Sequence, residues 1–324
     1  MNEYADVNPG RKLIIGISSC LIGQPVRYDG SSKHSRYITD TLGRCFEFRP
    51  YCPEVAIGLS IPRPPIRLVK KNREVRAVGI KDPNQDVTDD LIQFADSVSN
   101  ECSDVCGYIF KSKSPSCGME RVKLFKENGD LAGTESGIFA NKIMQKNPAL
   151  PVEEEGRLMN PSLRENFVER VFVYARWLFF LRRGVTVANL VEFHTRHKFV
   201  VLAHDEPIYR ELGRMVASAG SQNSLAERYQ QYLSLLTEAL KKLPTPKMHT
   251  NVLQHIFGFF KDNLSAEDKK ELLNAIDEYR RGLLPLIVPI TLIRHYLRLY
   301  PNDYIASQFY LSPGPNELVL RNQI

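Results

Sequence analysis

Up to about residue 160 the chain alternates short apolar runs with longer amphipathic stretches. "KLIIGI" (12–17) and "FEFRPY" (46–51) have the length of strands, and "CGYIFK" (106–111) reads as a buried one. "IRLVKKNREVRAVGI" (66–80) is expected to form a hairpin or excursion with a polar turn near Asn72. "RVKLF" (121–125) is a further extended piece before the turn "ENGD", and "ALPVEEEG" (149–156) supplies a last strand. Thr88 has the N-cap position ahead of "DDLIQFADSVSNE", and "ESGIFANKIMQKN" (135–147) has helical spacing. This alternation predicts a Rossmann-like α/β domain, three layers around a mostly parallel sheet.

After Pro161 the period changes to that of helices. Segments 162–184, 186–204, 207–219, 225–243, 249–264, 265–284 and 286–300 all space their apolar residues for one helical face, and Ser265 ahead of Glu267 and Asp268 is one of several plausible caps. Two domains are expected, an α/β one at 1–160 and an all-α one at 161–324. The most apolar stretch, "VFVYARWLFFL" (171–181), contains Arg176 and is flanked by Arg170 and Arg182. It falls short of the roughly 20 apolar residues that span a bilayer, so a buried helix and no membrane association are expected.

Composition adds three constraints. With 43% hydrophobic and 25% charged residues, the 324-residue chain is globular rather than disordered. The net charge of +6 is regional, +1 up to residue 160 and +5 beyond it, and six of the seven histidines also lie beyond residue 160. The opening "MNEYADVNPGRK" lacks the apolar segment of a secretory signal, which points to the cytoplasm, where cysteines are kept reduced and disulfides are rare.

All six cysteines (20, 45, 52, 102, 106 and 117) fall in the first 117 residues, and three share a position. Cys20 in "SSCLIG", Cys52 in "CPE" and Cys117 in "KSKSPSCG" each follow an expected strand. Ligands of open parallel sheets bind beyond the carboxyl ends of the strands, so parallel neighbours would bring these thiols together. Three thiolates repel one another without a cation. Their softness suits zinc, copper(I) or an iron–sulfur cluster, and spacings of 32 and 65 residues fit no zinc-finger pattern. Cys45, Cys102 and Cys106 are expected to be small core residues.

The motifs "SSCLIGQPVRYDG" (18–30), "CPEVAIGLSIPRPPIRL" (52–68) and "SPSCG" (114–118) together resemble the thiouracil desulfidase (TudS) family. The helical half, through "HTRHKFVVLAH" and "YLSPGPNEL", resembles the domain fused to it in YbgA-type proteins. The resemblance implies a [4Fe-4S] cluster bound by three cysteines, Cys20, Cys52 and Cys117, where four are usual. The free iron would take sulfur from a thiolated nucleobase or nucleoside by non-redox hydrolysis. It also places the acidic catalytic residue at Glu54 and a catalytic serine at Ser114, with Ser116 as the alternative and as a substrate-binding group.

Arg27 and Asp29 of "PVRYDG" and Arg63 of "IPRPP" could hold a polar ring or phosphate, or pin their own loops. Of these three, only Arg27 is put forward as substrate-binding. In the helical half, His194, His197, His204, His249 and His255 are expected to be solvated or stacked rather than metal ligands. The charge of that half, with Phe193, Phe199 and Tyr209, permits an alternative function, a thiolated-RNA binding protein with a structural metal or cluster. A domain that covers the cluster, narrows its pocket or forms a dimer is the plainer expectation. The oligomeric state is left open.

Overall fold

The strands after which the three cysteines fall are neighbours in one parallel sheet. In a computed structural model that describes residues 12–101, 103–220, 224–314, 318 and 321, the first unit contains β1 (Leu13–Ser18), β2 (Phe46–Tyr51), a short α1 (Pro53–Ala56), β3 (Ile66–Lys71) and β4 (Glu74–Gly79). It continues with α2 (Thr88–Glu101), β5 (Val105–Phe110), β6 (Val122–Lys126), β7 (Leu131–Glu135), α3 (Ile138–Lys146) and β8 (Val152–Glu154). The boundary to a second compact unit lies between Asn160 and Pro161. Cys102 and residues 1–11, which bear on one expected core thiol and on the cytoplasmic reading, lie outside the described residues.

One sheet runs β2-β1-β5-β8, parallel throughout. The chain leaves β1 for β2 on one side and later returns to β5 on the other. Such a reversal opens a crevice at the carboxyl ends of the strands. Sheet formation demands a small residue in β1, because a Cβ on Gly16 would stand 2.4 Å from the ring of Tyr108. Strands β4-β3-β6-β7 form a second, mixed sheet rather than extending the first. Its β3–β4 hairpin closes through Asn72 and Arg73, both at positive φ, which is the geometry that two-residue hairpin turns require.

Helices α2 and α3 serve both sheets. Leu91 and Ile138 join Leu68, Ala77 and Leu124 in one core, while Ala95, Val98, Phe139 and Ile143 pack with Tyr108 and Phe110 in the other. Thr88 is the first helical residue and not the cap. Asp86 accepts its N–H (3.0 Å), which frees the Thr88 hydroxyl to accept from Ala77 N (2.7 Å).

The second unit is helical: α4 (Pro161–Arg182), α5 (Val187–His204), α6 (Glu206–Ala217), α7 (Leu225–Lys241), α8 (Pro246–Phe257), α9 (Ala266–Arg280), α10 (Ile287–Leu299) and α11 (Asp303–Ala306). Side chains of Thr186, Asp205, Ser224, Thr245, Ser265 and Asn302 accept the orphan amides at the starts of α5 to α9 and of α11. Trp177 of α4 stacks on Tyr232 of α7 at 5.5 Å and meets Phe193 of α5 edge-on, which anchors the core. No helix among the described residues is long and apolar enough to cross a membrane.

Burial changes the reading of several polar and aromatic residues here. Phe193 and Phe199 are core residues and cannot stack on RNA bases; Tyr209 is half-buried. Of the histidines expected to be solvated or stacked, His197 does stack on Phe193, at 3.9 Å, but inside the core. His194, His204 and His249 are also buried, because each has a fixed partner. These are the Tyr232 hydroxyl, the Glu169 carboxylate with the Lys242 carbonyl, and the Tyr310 hydroxyl. His255 is exposed.

Candidate functional site

A cavity of about 370 Å³ opens at the carboxyl ends of β1, β2 and β5, and Cys20, Cys52, Cys117, Glu54, Ser114 and Arg27 all line it. Each thiol is placed by a different local device. Cys20 sits in a tight turn just after β1, closed by Gly23 in the left-handed conformation that glycine supplies without strain. Cys52 ends β2 in extended geometry, ahead of Pro53 at the first position of α1. Cys117 lies on the loop after β5, which α3 holds. Ile138 N donates to Pro115 O (3.0 Å), Ala140 N to Ser116 O (3.1 Å) and Gly137 N to Gly118 O (2.8 Å). The orphan amides of a helix start thus fix the backbone of "SPSCG". Only a residue without a side chain fits at 137, since a Cβ there would stand 2.7 Å from the Ser116 carbonyl.

Cys20 and Cys117 are only 7% and 6% exposed, and all three thiols are free of disulfides. Burial pushes the Cys20 thiol up to about 11 and pushes Cys52 and Cys117 up as well. All three are therefore protonated thiols at neutral pH in the absence of a bound cation. Cys52 Sγ donates weakly to Val26 O (3.8 Å). Of the cysteines expected in the core, Cys106 is buried and Cys45 half-buried.

A directed hydrogen-bond chain crosses the cavity wall. Ser116 Oγ donates to Glu54 Oε1 (2.5 Å), so it accepts from the Ser114 hydroxyl (3.0 Å). Ser114 Oγ in turn accepts the amides of Cys117 (3.1 Å) and Ser116 (3.3 Å), a turn typical of serine after a strand. At the other end Arg63 donates from Nε to Glu54 Oε2 (2.8 Å) and from NH2 to Val26 O (3.0 Å). Ser116 is also among the residues that line the cavity; buried itself, it links Ser114 to Glu54.

Arg27 lines the cavity but is also held in its own loop, donating to Ser31 Oγ (2.8 Å) with Asp29 at 3.8 Å. Arg63, set aside in favour of Arg27, is the residue locked onto Glu54. Lys111, at the end of β5, was missed altogether. Its Nζ pairs with Glu155 (2.5 Å), and its amide donates to Ser18 Oγ (2.9 Å), which ties the ends of β1 and β5 together. The position of a lysine directly after a buried parallel strand was the available signal. The cavity is cationic, with Arg27, Lys33, Arg63, Lys111 and Lys113 against the carboxylate of Glu54 among the described lining residues.

Comparison with known proteins follows the two units. A family model described as 2-thiouracil desulfurase matches residues 15–155, and one for a protein of unknown function, DUF1722, matches residues 198–315. Over 139 residues the chain is 37% identical to an uncharacterized protein, YbgA, of Escherichia coli (strain K12), spanning 43% of this chain and 82% of that protein. A solved structure of a [4Fe-4S]-dependent thiouracil desulfidase, TudS, is 30% identical and matches 48% of this chain and 97% of its own, with a TM-score of 0.35.

Proposed function

We propose that this chain, which belongs to the YbgA-type family and carries a 2-thiouracil desulfurase-family domain, removes sulfur from thiouracil or a related thiolated nucleobase or nucleoside. The observation that carries the reading is one cavity lined by Cys20, Cys52 and Cys117 together with Glu54 and Ser114.

The donor set fits an iron–sulfur cluster. Three buried thiols that stay protonated alone become ligands once a cationic core draws off their protons. A [4Fe-4S] cluster takes its thiolates on separate irons, so thiols supplied from three separate strand ends suit it. The cavity of about 370 Å³ is more than twice the roughly 150 Å³ that accommodates benzene, so a pyrimidine ring fits beside a second group. When bound, a cluster held by only three protein thiolates supplies a Lewis-acidic iron for the thiocarbonyl sulfur.

The residues of the chain supply the proton transfers. Ser114 faces the substrate with its oxygen held by two amides, which stabilise negative charge there. As Ser114 takes a proton from the attacking water, its own proton passes through Ser116 to Glu54 Oε1, and it returns as the carbon–sulfur bond breaks. Arg63 keeps Glu54 aimed at Ser116. Sulfur leaves as hydrosulfide, the carbonyl oxygen comes from water and the second proton of that water is released to solvent, so no electron is transferred.

The test is anaerobic reconstitution followed by measurement of sulfide and uracil formed from 2- and 4-thiouracil and from 4-thiouridine. Equal yields of sulfide and desulfurated product, lost in Cys117→Ala, are expected. Full iron loading and undiminished turnover in a triple Cys20, Cys52 and Cys117 alanine variant would sink the proposal.

A further inference from the structure

The helical unit encloses a second cavity, of about 180 Å³, which plays no part in the chemistry above. Exposed Ser162 and Leu243 mark its mouth, and its inner end is walled by Glu169, His249, Tyr279 and Arg321, all buried. Charge at that end is already neutralised. Glu169 Oε1 accepts from Arg321 (3.2 Å) and Oε2 lies 3.0 Å from His204 Nε2. Burial works to raise the Glu169 carboxyl, but His204 and Arg321 hold it down at about 2, and Arg321 also donates to the Tyr310 carbonyl.

Three polar atoms beside this pair have no protein partner among the described residues. His249 uses Nδ1 on the Tyr310 hydroxyl (3.0 Å) and leaves Nε2 unbonded; Glu165 accepts the Arg321 amide at Oε1 (2.9 Å) and leaves Oε2 unbonded; the Tyr279 hydroxyl bonds nothing. His249 is 8% and Tyr279 7% exposed. Glu165 is half-buried, and the three side chains all line one space.

The walls specify what would fill it. A cavity of about 150 Å³ admits benzene, so about 180 Å³ takes one six-membered ring with small substituents. Pro244, Pro246 and Leu286 offer apolar surface against the faces of a ring. Burial pushes the Glu165 carboxyl up and lowers His249 to about 3, so His249 meets the cavity as a neutral imidazole, and the Glu169 charge is matched by Arg321. A metal ion lacks a group of three donors among the described residues.

We propose that this cavity binds a neutral heterocycle of pyrimidine size, whose adjacent N–H and carbonyl groups pair with Glu165, His249 and Tyr279. The site is independent of the desulfurating chemistry and would stand if that reading fell.

The experiment is calorimetric titration of the full chain with uracil, and with adenine as a larger ring system. One uracil-binding event is expected to survive Glu54→Gln, which alters only the first cavity, and to weaken about fivefold in Tyr279→Phe, the effect of one hydrogen bond. Any additional event belonging to the first cavity is lost or weakened in Glu54→Gln. Ser162→Trp, at the exposed mouth, should block the site without touching the core, which keeps the test decisive if Tyr279→Phe does not fold. Absence of uracil binding, binding indifferent to both helical-unit variants, or equally tight adenine binding would overturn the proposal. Sulfide release in Tyr279→Phe, measured in parallel, separates failure here from failure of the first site.

Discussion

Removing Arg63 tests whether the wall of the first cavity is a coupled charge pair or merely a set of contacts. Arg63 bonds Glu54 through Nε (2.8 Å) and NH2 (2.7 Å), Val26 O (3.0 Å) and Ser60 O (3.3 Å), and the two side chains are 5% and 14% exposed. Arg63→Ala leaves a nearly buried carboxylate with Ser116 as its remaining donor. Stranding one member of a buried pair costs about 3–5 kcal/mol. Glu54→Gln leaves Arg63 its two carbonyl partners and should cost less, about 1–3 kcal/mol. In the double variant neither charge is stranded, so the two costs should fall short of adding by about 2 kcal/mol. The sole tryptophan, Trp177, lies in the helical unit and serves as an internal control with an unchanged urea midpoint. The first unit is followed by amide hydrogen exchange in β1, β2 and β5. A double variant destabilised by the full sum of the single variants would refute the coupled pair.

The remaining predictions address the thiols, the loop that carries one of them, and the buried histidines. Cys45→Ser and Cys106→Ser should keep bound iron after anaerobic reconstitution, whereas Cys20→Ala, Cys52→Ala and Cys117→Ala should each lose most of it, as measured by iron content; equal loss in all five would contradict the assignment. Gly137→Ala drives a Cβ into the Ser116 carbonyl at 2.7 Å and the Ser114 carbonyl at 2.8 Å, so it should cost about 1–3 kcal/mol and speed exchange of the Cys117 amide. In the helical unit burial pushes His194 down to about 4, His249 down to about 3 and His197 well below its ordinary value. The unfolded chain binds these protons more readily, near pH 6.5, so stability is full above about pH 6.5. As pH falls below that value it drops by up to about 1.4 kcal/mol per unit for each histidine, until the folded value is reached. The urea midpoint read by Trp177 fluorescence should fall between pH 7 and pH 5, and identical midpoints would show that the histidines titrate alike folded and unfolded.

What the chain reveals by inspection is the set of features carried by local period and position. The buried strands before Cys20, Cys52 and Cys117 are short apolar runs, and the helices after Pro161 carry their own spacing and caps, so both can be read without knowing their neighbours. β7 could not be read that way. "LAGTE" is exposed or half-buried throughout, and it is a strand because it pairs with β6 across the "ENGD" turn. α8 begins at Pro246, three residues before the expected His249, because Thr245 caps it. The site divides along the same line. Thiols at strand ends are visible in sequence, but the buried role of Ser116 depends on Glu54, 62 residues away, and the lock on Glu54 comes from Arg63 through a loop. The Glu169–His204–Arg321 network joins residues up to 152 positions apart. Nothing in the period of α4 or α5 distinguishes a glutamate or histidine destined for such a network from one on a solvated face. Where a polar residue's energy depends on a distant partner, the signal belongs to the pair, and the fold must be known before it can be read.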